Sequence, residues 1–65
     1  MKLGDTIQFC LDAEFNGSTF IAFGTVEAIG EPYKNSYIVT LIHDFQYGRL
    51  WNKAEEFVVY PEEIL

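Results

Sequence analysis

The chain has 65 residues, 10 Asp+Glu against 4 Lys+Arg for a formal net charge of −6, and a hydrophobic fraction of 49% that includes 6 Phe, 4 Tyr and 1 Trp. A chain this short makes one domain, residues 1–65, and buries only about 60% of the surface its unfolded form exposes, so dense packing has to hold it. That hydrophobic content excludes a disordered acidic chain, the single cysteine excludes an internal disulfide, and no apolar run approaches the length of a membrane span.

Met1-Lys2-Leu3-Gly4-Asp5 lacks the apolar core of a signal peptide, which predicts a cytoplasmic protein. In that reducing setting Cys10 is expected to be a small buried hydrophobe rather than a reactive thiol. From Asp5 to Asp12 the apolar residues Ile7, Phe9 and Leu11 alternate with Thr6, Gln8 and Asp12, the period-two pattern of a half-buried strand. Asn16-Gly17-Ser18 supplies the strongest turn signal, since Asn-Gly accepts the positive φ angles of tight hairpins. A long second strand follows over residues 19–29, where Gly24 predicts a bulge or bend. Residues 30–35 form a loop. Residues 36–43 are β-branched and aromatic almost throughout and predict a third strand. Gln46-Tyr47-Gly48-Arg49 predicts another turn, residues 50–54 extend into strand or loop, and residues 55–60 form a last strand that Pro61 must end. A helix is limited to a single turn near Pro61-Glu62-Glu63. The expected core includes Phe9, Phe20, Phe23, Val26, Val39 and Phe57, which fall on strands beside aliphatic residues.

Four or five short strands with glycine turns predict an all-β fold, a small antiparallel barrel. Gly4-Asp5-Thr6-Ile7, Gly24-Thr25-Val26 with Ile29, Tyr37-Ile38-Val39, and the closing Phe57-Val58-Val59-Tyr60-Pro61-Glu62-Glu63-Ile64-Leu65 resemble SH3-like barrels of the Tudor and KOW type. Those commonly read G-D-x-V, G-x-V-x-x-I, Y-x-V and a closing V-P-E-E-x-L. The resemblance implies a barrel of about five strands. The chain lacks the acidic-aromatic first-loop motif and paired tryptophans of peptide-binding SH3 domains, and the basic loops by which KOW-type barrels hold RNA.

The residue inventory argues against catalysis. His43 and Cys10 are the sole histidine and cysteine, so no recognisable metal-ligand cluster exists in the sequence. His43 and Asp44 are neighbours, and neighbours on a strand point to opposite faces. Gly17, Gly24, Gly30 and Gly48 are too widely spaced to cradle a phosphate. The expectation is a protein without enzymatic activity and without a cofactor or metal.

Charge separates two classes of partner. Nucleic-acid affinity rests on Lys and Arg neutralising phosphates, and Lys2, Lys34, Arg49 and Lys53 are outnumbered by acids. The alternative of a nucleic-acid-binding barrel therefore depends on a local patch of Lys34, Arg49, Lys53, Tyr47 and Trp51. Carboxylates at Asp12, Glu14, Glu27, Glu31, Glu55, Glu56, Glu62 and Glu63 instead favour either a solvated acidic face or the attraction of a basic protein surface. In size and charge the chain resembles small acidic DNA-mimic inhibitors of phage and mobile elements, which implies an accessory or inhibitory factor. Tyr33, Phe45, Tyr47 and Trp51 fall in or next to turns, where a small barrel offers little interior. Exposed there, they would anchor a protein partner, with Glu55 and Glu56 as unopposed acids beside them, or line a cation–π cage for a methylated side chain. The expected partner is a protein, as monomer or homodimer.

Overall fold

The computed structural model describes residues 1–13 and 17–65. The chain is all-β, as its period-two pattern requires. Its strands are β1 (Thr6–Ala13), β2 (Ser18–Ile29), β3 (Tyr37–Leu41), β4 (Phe45–Tyr47), β5 (Arg49–Trp51) and β6 (Glu56–Val59), followed by a 3-10 turn at Pro61–Glu63. An antiparallel sheet in the order β1-β2-β3-β6 curls into a half-barrel, and β4-β5 form a separate hairpin. No helix among the described residues is long and apolar enough to cross a membrane.

Alternation sets the core. β2 turns Phe20, Ala22, Gly24 and Val26 inward and Ile21 and Phe23 outward. Phe9, Ala22, Val39, Leu41, Trp51 and Val59 form one buried cluster, against which Ile7, Leu11, Phe20, Phe45, Phe57 and Ile64 pack. Phe23, expected inside, is 47% exposed. Its register is the reason: opposite Gln8 on β1, it lies on the outer face of the sheet.

Gly24 is not the bulge. The register shifts between Val26 and Ala28, so Glu27 is the extra residue. At Gly24 the strands come too close for a side chain. A Cβ there would collide with Val39 and lie 2.8 Å from the Thr40 carbonyl and 2.9 Å from the Phe9 ring. Glycine lets the sheet fold tightly over Phe9.

Local chemistry accounts for the ends. Gly17 has φ +72, as a hairpin turn requires; Asn16 and Glu14 of that predicted loop lie outside the described residues. The third strand stops at Leu41, two residues before His43, which is exposed in a bend. The turn predicted at residues 46–49 contracts to Gly48 (φ +75), leaving Tyr47 and Arg49 as a strand pair. The 3-10 turn is secured by reciprocal bonds: Tyr60 N–H donates to Glu63 Oε1 and Glu63 N–H to the Tyr60 carbonyl, each at 2.9 Å. It redirects the chain so that Ile64 bridges Phe9 and Leu65 N–H donates to the Gln8 carbonyl at 3.0 Å. This short return joins the last segment to the first strand and partly closes the half-barrel.

Candidate binding groove

β1 and β6 are the outer strands of the sheet, and curling brings them toward each other. The Phe9–Ile64 bridge spans one end of the seam between them. Along the seam lies a groove of ≈ 390 Å³ lined by Cys10, Leu11 and Asp12 of β1, Phe57, Val58 and Val59 of β6, Gly48, Arg49 and Trp51 of the hairpin, and Glu63. Its interior is apolar through Leu11, Trp51 and Phe57, and its acids are Asp12 and Glu63.

The hairpin wall is built by aromatic packing. Phe20 is the hub, meeting Phe45, Tyr47 and Trp51 edge-on at 5.5, 5.0 and 5.1 Å between ring centroids. Phe45 stacks on Trp51 at 5.9 Å with the planes 6° apart. The Trp51 Nε1–H donates to the Tyr47 carbonyl at 3.1 Å, so the indole is buried with its polar atom satisfied. The Arg49 guanidinium lies 3.5 Å from the centre of the Trp51 ring, a cation–π contact. The same guanidinium donates to Glu55 Oε2 at 2.8 Å and to the Leu50 carbonyl at 2.8 Å.

Glu55 titrates below its ordinary value, chiefly because Arg49 donates to it; partial burial opposes this, while the Asn52 N–H and the Arg49 charge assist. A lowered folded-state pKa contributes stability above the unfolded value, and that contribution is lost as pH falls through the folded value. Both partners are partly in water, with side chains 47% and 29% exposed. Glu55→Gln is therefore expected to cost at most about 1 kcal/mol near neutral pH. Denaturation of both proteins across pH checks this: the difference should vanish in acid.

The sequence-predicted site residues divide. Phe45, Tyr47 and Trp51 come together around Phe20, and Glu55 joins them through Arg49. Tyr33 sits in the β2–β3 loop, where its N–H donates to Ser36 Oγ at 3.0 Å, and Glu56 is exposed on β6; neither lines the groove. Trp51 is not an exposed anchor: it is 5% exposed, because the hairpin folds back over the open core. Nor is Glu55 unopposed, since Arg49 pairs with it. The predicted nucleic-acid patch and the predicted cage both draw on Trp51, whose ring is buried and already carries Arg49 on its face. Cys10 is half-buried at the groove rather than in the core, since it shares the outward parity of Gln8 and Asp12. Phe57, another expected core residue, is half-buried and lines the same groove.

In the sequence Asp12 stands out only as one carboxylate among several, and Leu11, Val58 and Val59 only as strand residues. No sequence signal marks them, because what they share is a place at the two edges of the sheet. Among the described residues, no group of three or more His, Cys, Asp and Glu is arranged to hold a metal ion. A second, smaller pocket of ≈ 170 Å³ lies between Ile21, Ala22, Phe23, His43 and Phe45. The chain matches no protein-family model, no curated protein and no solved structure.

Proposed function

We propose that this chain is a non-enzymatic protein-binding module of SH3-like barrel type, which receives a basic segment of its partner in the seam groove. The observation that carries the binding role is the groove itself, an apolar cleft flanked by two sheet edges and bordered by Asp12 and Glu63. Exposed strand edges are ready templates for another chain and are usually blocked in monomeric proteins. The barrel type is supported by the strand order β1-β2-β3-β6 and by the closing Pro61-Glu62-Glu63-Ile64-Leu65, whose 3-10 turn returns Ile64 to β1. A net charge of −6 favours a basic partner, speeds its approach and repels phosphate backbones.

The test is selection of a random peptide display library on the immobilised protein, alongside titration with labelled single- and double-stranded oligonucleotides. Enriched peptides rich in Lys and Arg, whose affinity weakens as salt rises, support the reading. Failure to enrich any peptide, or oligonucleotide binding with a steep salt dependence, overturns it.

A further inference from the structure

The hydrogen-bond phase of the sheet determines which main-chain groups face the groove. Val26 N–H donates to the Asp5 carbonyl at 2.9 Å, and the β1–β2 register runs Ile7 to Gly24, Phe9 to Ala22 and Leu11 to Phe20. Hydrogen bonding alternates along an antiparallel pair, so odd-numbered residues of β1 bond to β2 and Gln8, Cys10 and Asp12 turn their N–H and C=O groups toward the seam. Leu65 N–H takes the Gln8 carbonyl at 3.0 Å, and pairing ends with the Phe9–Ile64 bridge. Beyond it, no described residue bonds the N–H or C=O of Asp12. On the other side Leu41 N–H donates to the Glu55 carbonyl at 3.1 Å, which by the same alternation through the β3–β6 register commits Phe57 and Val59 to β3 and turns the main chain of Val58 toward the seam.

We infer that the partner segment docks as an added β-strand, bonded to the main chain of Asp12 at the edge of β1 that no described residue pairs, and alternating basic with apolar residues. This deepens the protein-binding reading and rests on it. Side chains on an added strand alternate between the two faces of the sheet. One set lies beside Asp12 on the outer face, where a lysine or arginine meets a carboxylate. The other set points into the groove, where Leu11, Trp51 and Phe57 favour an apolar residue. Main-chain bonds supply affinity and the alternating side chains specificity, as in other strand-addition complexes. Charge argues against a second copy as the occupant: at net −6 two copies repel, and the edge they would share presents Asp12 on both.

The experiment follows the exchange of backbone amides by NMR in the full chain, free and bound to the tightest peptide from the library. Slowing of the Asp12 amide by about tenfold or more is expected. Peptides N-methylated on the alternate amides that face β1 should bind about tenfold worse or more, and those methylated between them as well as the parent. Asp12→Pro removes the seam-facing N–H without touching the ladder to β2 and should weaken binding comparably. Asp12→Asn keeps that N–H and should chiefly lessen the salt dependence. The methylated peptides keep the test decisive where the proline variant unfolds. A bound peptide that leaves the Asp12 amide unchanged, or that protects Ile21 and Phe23 instead, overturns strand addition while leaving the protein-binding reading in place. Protection of Asp12 in a peptide-free dimer overturns it in favour of a second copy. A library that yields no binder overturns both.

Discussion

Replacing Trp51 with alanine will cost about 3–5 kcal/mol of stability, the range for truncating a large buried aromatic. A chain of 65 residues has roughly 3–10 kcal/mol in total, so much of the population will unfold. The indole fills the middle of the hairpin's contact with the sheet. It stacks on Phe45, meets Phe20 edge-on at 5.1 Å and lies 6.0 Å from Phe57. Removing it leaves those rings facing a cavity and the Arg49 guanidinium without the surface it covers. Denaturant titration of Trp51→Ala measures the loss. A midpoint close to the parent's would mean that the hairpin does not pack on the core. Binding by this variant cannot be read as loss of an anchor unless its folding is measured first.

Phe9→Ala should be at least as damaging, again about 3–5 kcal/mol. The ring is fully buried, lies 6.4 Å from Phe57 and packs closely against β2 at Gly24. Its backbone carries the bridge to Ile64, so the variant should also loosen the closing segment. Faster hydrogen exchange at the Leu65 amide, under conditions that keep the variant folded, is the specific signature. Loss of stability with unchanged exchange there would separate the core role of Phe9 from closure of the barrel.

The strands were legible because one face of each is wet. Ile7, Phe9 and Leu11 alternate with polar neighbours, and the side chain positions follow the period. The same logic misplaces Phe23, because Phe20, Ile21, Ala22 and Phe23 are all apolar and the period alone does not say which alternate set faces inward. Gly24 drew attention as a departure from strand composition, but close packing and a bulge leave the same mark on a sequence. The hairpin leaves less of a local mark. A turn at Gly48 was visible, yet a two-stranded insert that folds back over the core depends on Phe20, far away in the chain, and no local pattern reports that contact. Trp51 therefore read as a surface residue. The groove was hidden for a related reason. Which carbonyls of β1 lack a neighbour depends on where residues 64 and 65 return, and main-chain pairing has no residue type of its own. Acidity is legible, but its pairing is not: Glu55 and Arg49 are six residues apart and meet because the chain turns at residues 52–55, where Ala54 has φ 69 and Glu55 N–H donates to the Asn52 carbonyl at 3.1 Å.

The most direct measurement of where a partner binds uses Cys10, the single cysteine of the chain, which lines the groove and is half-buried. Its rate of alkylation by a small neutral reagent can be followed by intact mass in the free protein and at saturating peptide. A partner segment seated in the groove that Cys10 lines shields this thiol, and the rate should fall by about tenfold or more, in proportion to the fraction bound. An alkylation rate that stays the same at saturation would place the partner on another surface and contradict the seam as the binding site.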